Sequence, residues 1–393
     1  MGSIALCRGA YIRSTLASTM QSITVQQEPA GPVQVAIGLV AWNEERGIAA
    51  TLHSIFEQSI FGELNRRHWK CEILCLANGC TDRTAAVAGE LFQSQARQHP
   101  DRAAFCARVV ELTERGKINA WNQFVHALSA REARFLFLMD SDILIHRQET
   151  LWNMLRVLED DAQAHIAVDR PCKDILFKPR KSLRDHLSLA ASRLTSSAEA
   201  QLCGQLYCIR AGVARNIYLP KDLAACEDGF IKTLVCTDFL TRPTASRRIR
   251  VAEGAAHIFE AYTSPAAIVK NQKRQIIGQT IIHILVDGYL KARPQSEQTR
   301  LADTLEEKDR SDPQWLKRLI HQHLRQTRFW WRLYPGLSGL GFTRLRRLTW
   351  RERLVCFPAA VASSLLALVS GRLAFAALRN GCTNYWPQAH SKI

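Results

Sequence analysis

Apolar and polar positions come in alternating blocks through the first third of the chain. Val33–Val40 is apolar apart from Gln34 and predicts a buried strand. In Asn43–Gln58 the apolar positions Ile48, Leu52, Ile55 and Phe56 return at helical spacing. Cys71–Ala77 predicts a second strand, followed by a helix over Thr81–Gln98 with Thr81 as cap and Asp82 in the first turn. Phe105–Leu112 predicts a third strand, Lys117–Ala130 a helix, and Arg134–Met139 a fourth strand rich in Phe and Leu. Strands that alternate with helices in this way predict an α/β fold with a doubly wound, mostly parallel sheet.

The pattern loosens over 165–260, where His165–Asp169 and Gly204–Arg210 are candidate strands. Ser264-Pro265 then opens a helix, with Ser as cap and Pro at the first position, running to about Lys291. Residues 293–313 are polar and carry Pro294 and Pro313, the composition of a linker. The first 32 residues end in Glu28-Pro29-Ala30-Gly31-Pro32 and read as a loosely structured leader. The expected divisions are therefore 1–32, a main domain 33–262 with halves 33–145 and 146–262, a helix and polar linker 263–313, and a tail 314–393.

The tail differs in kind. Basic residues run from Lys317 and Arg318 through Arg344, Arg346 and Arg347 to Arg353, with Glu352 as the one acid. Trp315, Phe329, Trp330, Trp331, Tyr334, Phe342 and Trp350 are interleaved, and the uncharged stretch Leu354–Gly371 follows. Aromatic residues favour the headgroup zone and basic residues the cytoplasmic leaflet. A helical, membrane-associating C-terminal region is the expectation, with a short span, a monotopic hairpin and a buried helix as its forms; Pro358 weakens the span.

Composition narrows the function. Of 393 residues 47% are hydrophobic, enough for a large core, and 52 basic against 36 acidic residues give a net charge of +16. That balance suits anionic partners such as nucleotides or an anionic membrane surface. No nucleic-acid motif accompanies it, so nucleic acid is not an expected partner. The 12 cysteines contain no Cys-x-x-Cys pair and no His cluster, which argues against zinc. Without a sustained apolar leader segment, reduced thiols in the cytoplasm are the simplest account. Met1-Gly2 is an incomplete myristoylation signal, because Leu6 stands where Ser or Thr is required.

Candidate chemistry collects where the strands end. Asp140-Ser141-Asp142 follows the fourth strand, and two carboxylates one residue apart can share a hard divalent cation that in turn holds phosphates. Alone, the same residues also make a solvated acidic turn. Trp42-Asn43-Glu44 follows the first strand, where Asn43 and Glu44 can bond a base and ribose, or Asn43 can cap the next helix. Asn78-Gly79-Cys80-Thr81-Asp82 follows the second strand, with Asn78 placed for a base edge and Asp82 for the helix start. Gly116-Lys117 leads into Asn119 and Asn122, and Lys117 at a helix start makes an anion site. Neither a Walker A loop nor a GxGxxG turn is present.

Taken in order, VAIGLVAWNEE, ILCLANGCTDRT, RGKINAWNQ and FLFLMDSDI resemble the nucleotide-sugar half of family 2 glycosyltransferases, which have the GT-A fold. Gly204-Gln-Leu-Tyr-Cys-Ile-Arg210 is similar to the acceptor-side strand of that family. Leu219-Pro220 and Cys226-Glu227-Asp228-Gly229-Phe230 are similar to its acidic base motif. The likeness covers about 33–290.

The resemblance implies a metal-dependent, inverting transfer of one sugar from a nucleoside-diphosphate sugar to an acceptor hydroxyl; the basic, aromatic tail and the cysteine usage add the inner face of the cell membrane as the expected place. The resemblance makes Asp228 the general base with Glu227 beside it, and assigns Asp140 and Asp142 to Mg2+ or Mn2+. Trp42, Asn43, Glu44, Asn78, Asp82, Lys117, Asn122 and Asp140 would bind the nucleotide sugar, and Gly204 and Arg274 would lie on the acceptor side. The acceptor class stays open between glycan, lipid and small molecule. Many relatives carry Asp where this chain has Asn78. Processive relatives carry Gln-x-x-Arg-Trp where this chain reads Asn271-Gln272-Lys273-Arg274-Gln275, which implies single addition. His257 would either complete the metal site or be structural. The competing reading is a degenerate member that binds a nucleotide or glycan without turnover.

Overall fold

The computed structural model describes residues 20–25, 31–195, 200–223, 226–298, 300–327, 329, 333 and 349–381. Most of the leader, and the basic-aromatic stretch at 330–332 and 334–348, lie outside the described residues.

Among the described residues one nine-stranded sheet runs in the order β1-β4-β3-β2-β5-β8-β7-β9-β6. β2 (Val33–Ala41), β3 (Lys70–Asn78), β4 (Phe105–Leu112) and β5 (Phe135–Asp140) are its parallel centre, paired β3 to β2, β4 to β3 and β5 to β2. β1 (Met20–Val25) lies antiparallel on β4. The second half adds β6 (Ile143–Ile145), β7 (Ile166–Lys173), β8 (Leu206–Arg210) and β9 (Ile249–Phe259), mostly in antiparallel pairs.

Hydrophobicity on both faces explains the central strands. Along β2, Val35, Ile37, Leu39 and Ala41 enter one core and Ala36 and Val40 the other. Such strands need helices on both sides. These include α1 (Ile48–Phe56), α2 (Ile60–Arg66), α3 (Thr84–Gln98), α4 (Lys117–Gln123) and α5 (Thr150–Asp160). The chain moves outward from β2 through β3 to β4, then returns to place β5 on the other side of β2. That reversal opens a crevice at the C-terminal ends of β2 and β5, the usual ligand position in such sheets.

Several boundaries differ from the sequence expectation. The first helix begins at Ile48, because Asn43 has a left-handed backbone (φ 54°) and residues 43–47 form a loop. The next helix begins at Thr84, since Thr81 bonds Asn43 instead of capping. The helix from Lys117 passes into a π turn at Phe124–Leu128. The leader contains β1. The 293–313 stretch is not a plain linker: it holds α9 (Leu301–Ser311), whose Leu301 and Leu305 are buried, while Asp309 accepts a 2.6 Å hydrogen bond from the Trp315 indole. Two leucines at helical spacing suffice to seat it, a signal hidden under its charge.

Among the described residues the remaining α-helices longer than one turn are α6 (Leu183–Thr195), α7 (Glu227–Cys236), α8 (Pro265–Val286), α10 (Trp315–Gln326) and α11 (Trp350–Arg379). Ser264 caps α8 as its sequence suggests, accepting from the Ala267 amide at 3.2 Å. Among the described residues no helix is long and apolar enough to cross a membrane.

Candidate active site

Three chain segments meet at the β5 edge of the crevice. Asp140 ends β5, Lys117 opens α4, and Glu227-Asp228 opens α7. Lys117 Nζ lies 2.7 Å from Asp140 Oδ1 and 2.8 Å from Glu227 Oε1, and donates to the Gly204 carbonyl at 3.1 Å. An ammonium has three protons, so these partners occupy it fully. Val40, Trp121, Leu138, Met139 and Tyr207 floor the group, and that apolar bed sets its electrostatics. Burial alone would lower the Lys117 pKa, but Asp140 and Glu227 raise it well above the usual lysine value. Burial pushes Asp140 up to about 6, against the pull of Lys117.

Gly204 is required by this approach. A Cβ there would lie 2.9 Å from Glu227 Oε1 and 3.5 Å from Asp228 Cβ. Glu227 is buried, whereas Asp228 is partly accessible and accepts a 2.7 Å hydrogen bond from the Gly229 amide. Burial raises the Asp228 pKa and Glu227 raises it further, opposed by that amide, Lys117 and Arg274. Arg274 on α8 also feels Tyr262, Glu227 and Asp140, so its positive charge faces the acid cluster.

The nucleotide-facing expectations fall around the ends of β2 and β3. Asn43 ties the two loops together: its Oδ1 accepts from the Thr81 amide at 2.8 Å and its Nδ2 donates to Thr81 Oγ1 at 3.1 Å. Asp82 accepts from the Thr84 amide at 3.0 Å and from the Glu45 amide at 3.1 Å. Gly79 makes the turn with φ +65°. Asn78 is fully buried. Its Oδ1 accepts from the Gly116 amide at 3.2 Å, and its Nδ2 has no partner among the described residues. Because the Gly116 N–H needs an acceptor, the orientation of this amide is fixed. The Arg115 guanidinium stacks 3.2 Å from the centre of the Trp42 ring.

Asn122 stands apart from the others. Its Nδ2 donates to the Leu219 carbonyl at 2.8 Å and its Oδ1 accepts from the Leu219 amide at 3.1 Å, so both ends anchor the Leu219-Pro220 loop. The sequence motifs single out neither Arg115, Tyr262 nor Asp169, whereas His257 is the residue expected either to complete the metal site or to be structural. Arg115 adjoins the Gly116-Lys117 motif, which was its only signal. His257 is fully buried, with Nδ1 2.7 Å from Asp169 Oδ2 and Nε2 3.4 Å from Gln205 Oε1, while the Gln205 carbonyl accepts from the Asp140 amide at 2.9 Å.

The fit to a divalent cation rests on charge and on one orphaned atom. Among the described residues no three His, Cys, Asp or Glu side chains form a ready-made metal site. Asp142 Oδ1, however, is buried without a hydrogen-bond partner among them. Glu44 is pushed up to about 8 by burial and then by Asp142, Asp82 and Asp140, so negative charge at this edge is in excess. Oxygen donors with surplus negative charge suit Mg2+ or Mn2+.

Residues 36–214 match the family model described as glycosyl transferase family 2. Among curated proteins none matches the chain. Solved structures similar to it include a mannosyltransferase from Pyrobaculum calidifontis in complex with GDP-Man and Mn2+ (16% identity, 92% of this chain and 95% of that one, TM-score 0.47). Residues 1–349 of S. aureus TarS are similar at 14% identity (89% and 92% covered, TM-score 0.42). Glucosyl-3-phosphoglycerate synthase from Mycobacterium tuberculosis, with Mn2+, UDP-glucose and phosphoglyceric acid, is similar at 16% identity (59% and 72% covered, TM-score 0.36). The strand-end motifs, ordered along a doubly wound sheet, fall within residues 36–214, the part of the chain that matches glycosyl transferase family 2, and that match supports a glycosyltransferase.

Proposed function

We propose that the chain moves one sugar from a nucleoside-diphosphate sugar to an acceptor hydroxyl, with inversion, using a divalent cation. The observation that carries the reading is the Lys117 bridge, which joins the strand-end carboxylate Asp140 to the acidic helix start at Glu227. The donor and acceptor halves of the sheet thereby share one cleft.

Asp228 takes the acceptor proton. It is the more accessible of the two helix-start acids, and its raised pKa makes it a stronger base than an ordinary aspartate. Glu227, held by Lys117, fixes the start of α7 and keeps Asp228 in place. A single carboxylate base with direct displacement gives inversion at the anomeric carbon. Asp140 and Asp142 would hold Mg2+ or Mn2+, which supplies neutralisation of the charge that builds on the departing diphosphate. Lys117, saturated by its partners, acts by positioning. Arg274 supplies the nearby positive charge on the acceptor side.

Asn43 and Asp82 shape the nucleoside loops, and Trp42 under Arg115 offers a flat wall. Asn78 Nδ2 is the donor offered to the base. The catalytic unit spans 33–262, and the C-terminal helices form its cover. The acceptor is met at the cytoplasmic face of a membrane; the basic tail and the free state of every described cysteine support this. Transfer is tested with a panel of nucleotide sugars with and without Mn2+, reading the anomeric configuration by NMR. Asp228→Asn is expected to retain nucleotide binding and lose transfer. Full transfer by that variant, or by Asp142→Ala without metal, would end the reading.

A further inference from the structure

We infer that α11 is a lipid-docking helix whose outward face lies in the surface of an anionic bilayer, beside the helix α8 that carries Arg274. This goes deeper into the membrane reading proposed above and rests on it.

The helix is apolar on two opposite faces. On its inner face Cys356, Ala360, Ser370, Ala374 and Leu378 are fully buried. Ser370 Oγ lies 3.4 Å from the Val269 carbonyl and 3.2 Å from Gln272 Oε1 of α8, and Cys356 Sγ reaches the Ala190 carbonyl of α6 at 3.9 Å. The small residues let α11 sit closely on α8 and α6. On its outer face Leu354, Phe357, Leu365, Leu368, Val369 and Leu373 are 44–68% exposed. At 100° per residue these positions and Val361 fall on one side of the helix, opposite the buried set. No charge interrupts 354–371. A helix seated on protein by one apolar stripe has a polar opposite face in water. A second apolar stripe this long marks a surface that another apolar phase covers.

Charge selects which phase. Trp350, Arg351 and Arg353 are exposed at the start of the outer stripe, and Arg372 and Arg379 towards its end. The neighbouring segment repeats the chemistry, with exposed Leu183 and Leu187 on α6 beside exposed Arg180 and Arg184. Leucines flanked by arginines and a tryptophan suit an acyl–headgroup boundary that carries negative charge. A second copy of the same basic surface would meet it with like charge. The described helix lies along such a boundary and does not cross it.

The position couples this face to the site. Ser188 on α6 donates to the Tyr262 carbonyl at 3.5 Å, and Tyr262 is close enough to Arg274, Asp142 and Asp140 to feel their charges. α8 carries both the seat of α11 and Arg274. A lipid surface on α11 is thus one helix away from the acceptor side.

The test is co-sedimentation of the full chain with vesicles of phosphatidylcholine alone or mixed with phosphatidylglycerol. Binding to the anionic vesicles is expected, weakened by Arg351→Gln/Arg353→Gln and by salt. Leu365→Gln/Leu368→Gln is expected to weaken it about tenfold or more, since it takes two apolar side chains out of the outer stripe. Circular dichroism and donor hydrolysis of that variant should match the parent. Absent binding, binding indifferent to the leucine pair, or a dimer that the leucine variant disperses would each overturn the docking. Sedimentation with vesicles in a chain that hydrolyses no nucleotide sugar would instead strike the glycosyl-transfer reading.

Discussion

The ammonium of Lys117 lies 2.8 Å from Oε1 of Glu227, across 110 residues of sequence, while its other side holds Asp140. Removing one partner of a buried ionic group leaves charge without compensation, at a cost of about 3–5 kcal/mol. Lys117→Met should therefore destabilise the protein at neutral pH and abolish transfer. The sign with pH follows from Asp140. Its folded pKa is already raised to about 6, and losing the lysine raises it further. The folded variant then binds more protons than the unfolded chain, so its stability falls as pH rises. Thermal denaturation at pH 5 and pH 8 should show the deficit widening at the higher pH; an equal deficit at both would mean that the bridge is not what the lysine provides.

Gly204→Ala probes the same cluster through space. The new Cβ would press on Glu227 Oε1 at 2.9 Å, and that oxygen cannot swing away without breaking its contact to Lys117. Displacing Asp228 by a fraction of an ångström through Glu227 should lower kcat by up to about a hundredfold. Nucleotide affinity should change little, because the β2 and β3 loops are untouched. Steady-state kinetics with nucleotide binding by calorimetry separates the two effects. Wild-type kcat in this variant would show that the packing is loose.

Glu44 predicts a pH trend in the metal-free protein. Its folded pKa is about 8 against 4.5 for an ordinary glutamate. The folded state therefore holds the extra proton between these values, and stability falls as pH rises through that window, by as much as ~1.4 kcal/mol per unit. Added Mn2+ offsets the surplus charge, so it should raise Tm more at pH 8 than at pH 5. Glu44→Gln should flatten the trend in chelator. A chelated wild type whose Tm is level from pH 5 to pH 8 would contradict the surplus of charge at this edge.

The sheet was legible because its central strands are short, predominantly apolar runs separated by helical patterns. Phe105–Leu112 has the limits that its sequence suggests. The acid cluster was legible as a set of motifs but not as a network. Nothing local in Gly116-Lys117 says that the lysine is spent on carboxylates, since Glu227 reaches it only through the long return of the chain to α7. Asn122 misled for the converse reason: a polar residue within a motif looks free until its loop partner Leu219 is seen. Charge also masked the leucines of α9, and the leader hid β1, whose partner β4 follows it by some eighty residues.

On the proposed reading, Asn78 sets the polarity of the base edge. Its Oδ1 is committed to the Gly116 amide, so the atom left for a ligand is the Nδ2 donor, buried and unpaired. A buried donor without an acceptor costs about 1–3 kcal/mol, and a base that presents an acceptor there recovers it. A base presenting an imide N–H meets donor with donor. Asn78→Asp keeps one oxygen for Gly116 and turns the other into an acceptor, so it should reverse the order of affinities between these two kinds of base by about ten- to a hundredfold. Calorimetry of the parent and the variant with cytidine and uridine diphosphates reads the ratio directly. An unchanged ratio would mean that the base lies away from Asn78 and that its free amide hydrogen serves another purpose.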